Sequence, residues 1–231
     1  MKFVRKFKSM FNPVVQLIIL TIILVLVALN ELSFTFGLKE IIEWIALVLM
    51  FIGVIFLVIR KSFFASYVVV FILYFSTAFT DFFNEFISVS FNPFEIVASN
   101  DLMLYVNLVI FIYLALMIAS YILSGSLKSR AVKGKVATLT FLFFAFLWLF
   151  LGFNAALVVM PIVGIAFVFG NNKATILMMI SYLITYSYVS LNSLFDVFTV
   201  NTLIIALLEV ILLAYAIMLA IPMFFGKKSK K

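Results

Sequence analysis

Residues 202–231 read TLIIALLEVILLAYAIMLAIPMFFGKKSKK. The run 202–225 carries one charge, Glu209, and the chain then turns basic at Lys227, Lys228, Lys230 and Lys231. An apolar run of about 20 residues has the length of a helix that crosses the hydrocarbon core of a bilayer. Lysines gathered at one end mark the cytoplasmic side of such a span. The stretch therefore predicts a membrane helix with its C-terminal end inside.

The same pattern repeats upstream. Further apolar segments run over 13–29, 41–59, 63–81, 102–124, 136–153, 154–170 and 174–192. With the N-terminus inside, the inner ends carry fifteen of the sixteen basic residues: Lys2, Arg5, Lys6 and Lys8; Arg60 and Lys61; Lys128, Arg130, Lys133 and Lys135; Lys173; and the four of the tail. Eight of the nine acids fall at outer ends: Glu31, Glu40, Glu43, Asp81, Glu85, Glu95, Asp101 and Asp196. Lys39 is the one basic residue out of place, and Glu209 the one acid inside a span. The fold class expected is an all-α polytopic membrane protein: a bundle of about eight transmembrane helices, both termini cytoplasmic, in the cell membrane. A basic amphipathic segment (1–12) leads into a single transmembrane domain (13–225), and a basic tail (226–231) follows.

Composition agrees with that class. The chain is 67% hydrophobic with mean hydropathy +1.34, against about 45–50% apolar residues in soluble domains. The net charge of +7 is explained by topology, so no nucleic-acid partner is expected. There is no Cys and no His, which removes disulfides, thiolate chemistry and imidazole metal or acid–base sites. No P-loop, G-x-S-x-G, H-E-x-x-H or EF-hand pattern occurs. The chain is therefore not expected to be an enzyme, to hold a cofactor, or to power itself with ATP. Energy input would have to come from an ion gradient or from a partner, such as another membrane protein or a cytosolic ATPase.

Three segments need separate treatment. In 1–12, MKFVRKFKSMFN, the side chains of Phe3, Phe7, Met10 and Phe11 share one helical face, which suits a helix lying on anionic lipid headgroups at the cytoplasmic leaflet. The stretch 136–170 would be roughly 52 Å long as one helix, well beyond a core of about 30 Å. It must fold back, either as two short spans or as a re-entrant hairpin (six spans plus that hairpin); Pro161 and Gly164 lie in its second half. A faint echo, Val89-Ser90-Phe91-Asn92 and Val189-Ser190-Leu191-Asn192, raises a 4+4 repeat of 13–124 and 136–225.

Glu209 is the sharpest candidate for chemistry. An ionised carboxylate inside a span is costly and should face the bundle or a wet cavity. Ala206, Ala216 and Ala220 share its face, and small residues let another helix approach closely. In the preceding span Ser181, Thr185, Tyr188 and Asn192 form one polar stripe, with Tyr182 and Tyr186 beside it. Thr185, Tyr188 and Asn107 are expected at about the depth of Glu209. Together with Ser181 and Asn192 they make a candidate path for an ion or small solute. The competing reading of the same residues is hydrogen bonding between helices, worth about 0.6 kcal/mol per contact on average. Asp81 and Glu85, four residues apart, are either an outer cation site or an acidic rim left by charge segregation. Two functions remain: a small permease or permease subunit, or a non-catalytic scaffold subunit of a membrane complex.

Overall fold

The computed structural model describes residues 2–31, 37–60, 62–88, 102–125, 127, 131–169 and 171–226. Its helices in chain order are α1 (Lys2–Phe7), a 3-10 turn (Lys8–Met10), α2 (Pro13–Glu31), α3 (Leu38–Ile59), α4 (Phe63–Ser88), α5 (Leu102–Leu123), α6 (Lys135–Phe146), a π-helical stretch (Leu147–Leu151), α7 (Gly152–Val168), α8 (Asn172–Asp196) and α9 (Val200–Phe225). Among the described residues there is no strand. Each of the eight apolar segments marked in the sequence is helical, with ends moved by a few residues.

Among the described residues, four helices are long and apolar enough to cross a membrane: Leu38–Ile59, Tyr105–Leu123, Asn172–Asp196 and Val200–Phe225. A fifth span is reached if Phe3–Met10 and Pro13–Leu29, which meet at 90°, count as one. Phe63–Ser76, Lys135–Leu151 and Ala156–Val168 are shorter apolar helices.

The stretch 135–168 folds back as the length argument requires. The first arm continues through the π-helical residues Leu147–Leu151 and the reversal falls between Lys135–Leu151 and Ala156–Val168; Phe141 meets Phe167 with ring centroids 5.5 Å apart. Gly164 faces the Phe144 ring. Pro161 sits inside α7, which continues through it, so the helix is not broken at that position.

The chain divides into two compact units, Met1–Glu31 with Ser66–Leu127, and Leu32–Ala65 with Lys128–Lys231. In the first, α2 buries Gln16, Leu20, Ile23, Leu24 and Val27, the 3–4 residue spacing of one helical face. The N-terminal segment packs on α5 with half of its apolar face. The rings of Phe7 and Phe11 lie against Tyr113, the Lys8 amide and ammonium donate to Ser120 and Ser124, and the ammonium lies over Tyr121. Phe3 and Met10 point outward. Part of the apolar face expected to lie on the leaflet is thus taken up by protein.

In the second unit α8 is central. α3 runs antiparallel along it, tied by the Asn171 side-chain amide donating to the Phe56 carbonyl (2.7 Å) and the Ser181 hydroxyl donating to the Ala46 carbonyl (2.7 Å). Gly53 lets the two backbones close, because a Cβ there would meet the Met178 side chain at 3.1 Å. α9 packs along another face of α8 and buries Ala206, Glu209, Leu212 and Ala216. Its Ile204, Leu207, Ile211, Met218 and Ile221 are exposed, as lipid-facing residues would be.

Candidate functional site

α9 opens on a capping box. The Thr199 hydroxyl accepts from the Thr202 amide, and the Thr202 hydroxyl accepts from the Thr199 amide. This fixes the start of the helix and so the depth of Glu209, roughly 14 Å along the axis from Val200 at 1.5 Å per residue. The face that carries Glu209 is the small-residue face read from the sequence. Ala206 and Ala216, one on each side, are buried with it.

Glu209 is fully buried, with 0% of its surface exposed. Neither carboxyl oxygen has a hydrogen-bond partner. Ser190 of α8 approaches it, without the geometry of a formed hydrogen bond. Tyr186, one turn earlier on α8, lies close enough to interact with its charge and stacks on Tyr182. Ser187 is also buried, and its hydroxyl is likewise unpartnered. Buried polar groups are nearly always hydrogen-bonded. A carboxyl and a hydroxyl left open in the C-terminal half of α8 and the N-terminal half of α9, two packed helices, are therefore unusual.

The polar stripe on α8 resolves into different environments. Ser181 is buried against α3 with its hydroxyl on the Ala46 carbonyl. Thr185 donates back to the Ser181 carbonyl at 3.2 Å. Tyr188 is half-buried and Asn192 is exposed. Asn107 belongs to the first unit, where its carboxamide oxygen accepts from the Tyr74 hydroxyl. The groups that the structure places against Glu209 are Tyr186 and Ser190. They lie on the line Tyr182, Tyr186, Ser190, which runs about 100–180° around the helix from the stripe. That four-residue spacing was visible in the sequence. What the sequence did not show was which line of α8 faces α9 and which faces α3.

Asp81 and Glu85 both fall within α4, but their side chains lie outside the described residues. The segment 89–101, where Glu95 and Asp101 sit, lies outside them as well. Lys39, the basic residue that departs from the expected charge pattern, pairs with Glu43 one turn on, at 3.7 Å. Among the described residues no three carboxylates converge as a metal site would require.

No known protein family matches this chain, and neither the curated proteins nor the solved structures contain a match.

Proposed function

We propose that the chain is an integral membrane permease, or the membrane subunit of one, that moves an ion or small solute, with Glu209 as the carboxyl that takes up and releases a proton or cation. The observation that carries this reading is the fully buried Glu209 with both oxygens unpartnered. An acid kept inside a span is expensive. Where nothing in the protein repays that expense, a transient ligand or proton is the physical reason to retain it. Ser190, Tyr186 and the open Ser187 hydroxyl supply further polar groups on α8. The proposed topology is eight crossings with both termini cytoplasmic. It rests on the charge distribution, together with the helical state of all eight apolar segments.

A second reading is favoured by a different observation. The Ser181–Ala46 and Asn171–Phe56 bonds use polar side chains of α8 to fasten it to α3. A chain whose polar groups all fasten helices would be a scaffold subunit of a membrane complex.

Thiol accessibility separates the two, because the chain has no native Cys. Single Thr185→Cys, Ser190→Cys and Glu209→Cys variants in sealed vesicles are treated with a membrane-impermeant thiol reagent. Transport predicts slow labelling from one side, as the α8–α9 seam opens locally. Silence from both sides, with a Ser62→Cys loop control labelling normally, would sink the transport reading.

A further inference from the structure

The end of the second unit away from Glu209 holds a cavity of about 350 Å³, lined by Arg60, Asn171, Asn172, Lys173 and Met223. That volume lies in the range of about 300–1,000 Å³ typical of small-molecule sites. Three helices meet there: α3 ends at Arg60, α8 begins at Asn172, and α9 contributes Met223 from its last turn.

The lining is cationic and, among the described residues, has no counter-ion. The acids whose side chains are described are Glu40, Glu43, Asp196 and Glu209, and none of them lines the cavity. Arg60 at the end of α3 suits that helix's dipole, but Lys173 does not suit its own. It occupies the first turn of α8, which contains no acid and where a positive charge opposes the helix dipole. The rings of Phe56 and Phe224 hold its ammonium at 5.2 and 4.7 Å, which fixes its position without neutralising it.

The uncharged lining also supplies donors with capacity left over. Asn171 is 5% exposed. Its carboxamide oxygen caps the Ala174 amide at 3.1 Å, and its Nδ2 donates one of two N–H groups to the Phe56 carbonyl. The second N–H remains open on a nearly buried side chain at the cavity wall. The first two amides of α8, those of Asn172 and Lys173, precede the capped Ala174 amide and have no intrahelical acceptor.

We infer that this cavity binds the phosphate group of an anionic ligand, with Arg60 and Lys173 neutralising it and the Asn171 amide and the first amides of α8 donating to its oxygens. Charge-assisted donation from a guanidinium and an ammonium is the strong form of such contacts, and open amides at a helix start add directional donors. Met223 gives the ligand an apolar neighbour. A phospholipid headgroup and a soluble phosphate ester share this chemistry. The inference stands independently of any transport through Glu209.

The test measures thermal unfolding of the protein in a maltoside detergent that contains no phosphate. One arm adds a short-chain phosphatidylglycerol; the other adds inorganic phosphate or glycerol phosphate, with chloride matching the ionic strength. Binding at about tenfold over Kd predicts a Tm rise of roughly 2–4 °C. A rise in the first arm alone identifies a lipid headgroup, and a rise in the second identifies a soluble phosphate. In either case Arg60→Gln/Lys173→Gln should lower the affinity at least tenfold, while Lys133→Gln/Lys135→Gln, an equal charge change outside the cavity, retains it. Absence of a shift in both arms overturns the inference. An equal loss in the two double variants also overturns it, since diffuse charge would then explain the binding.

Discussion

At the scale of single residues, Glu209 sets the terms. Removing a polar group that already has no partner relieves its desolvation, whereas removing one that is hydrogen-bonded leaves its partner stranded. The structure presents the first case, since both oxygens are unpartnered. Glu209→Met, close in length and fully apolar, is therefore expected to raise stability by about 1–3 kcal/mol and to abolish transport. Glu209→Gln should also abolish transport, with a smaller stability gain. Thermal unfolding of the purified variants decides the matter: a lower Tm for Glu209→Met would mean that the carboxyl fastens α8 to α9, as a scaffold requires. The burial of this residue was legible in the sequence, because alanines flank it at helical spacing. Its nearest polar neighbours were not legible. Choosing between Thr185 and Tyr186 requires knowing the rotation of α8 about its axis, and a polar line one residue over satisfies the same pattern.

At the scale of elements, α8 shows what a membrane helix does with polar side chains. Among the four helices long enough to span, it has the lowest hydropathy, 1.5 against 2.4–2.8, yet it is the most buried, 56% against 22–33%. Lipid cannot hydrogen-bond to Ser, Thr or Asn, so the helix that carries them is surrounded by other helices while its neighbours face outward. The sequence displayed the polarity of this segment. That polarity marks the centre of the second unit as much as it marks a solute path. The α3–α8 contact is where this packing is tightest. Gly53→Ala requires the Met178 side chain to yield by a few tenths of an ångström, which a flexible thioether does readily. Gly53→Leu overpacks the same place and is expected to cost about 1–3 kcal/mol. Ser181→Ala removes the bond to Ala46 and should cost only about 0.6 kcal/mol. Unfolding of the three variants in detergent should rank them Leu well below Ala at position 53, with Ser181→Ala close to the parent. A large loss at Ser181 with none for Gly53→Leu would place the stability of this pair in its polar tie instead of its close approach.

At the scale of the whole molecule, the proposed topology accounts for nearly every ionisable residue, and the exception at Lys39 is paired locally with Glu43. The parity of crossings depends on the α6–α7 hairpin, whose arms, Lys135–Leu151 and Gly152–Val168, are about 25 Å each at 1.5 Å per residue. That falls a few ångströms short of a core of about 30 Å, a mismatch that local thinning of the bilayer absorbs at modest cost. The last turn of the first arm, next to the reversal, exposes Trp148, Leu149 and Phe150, and Trp is the residue that anchors at headgroup level. Both facts favour a hairpin that reaches the outer interface over one that turns back halfway. Truncated chains carrying a topology reporter after Asn30, Asn154 or Asn192 are thus expected to report outside, and the full chain with a reporter after Lys231 to report inside. An inside signal at Asn154, with Asn30 and Asn192 outside, would make the hairpin re-entrant and leave six crossings. The termini would stay on the same side, because a hairpin that fails to cross removes two spans at once. An outside signal at Lys231 has no such escape: it would require an odd number of crossings or an inverted chain, put the lysine tail on the wrong face, and overturn the orientation on which the transport proposal depends.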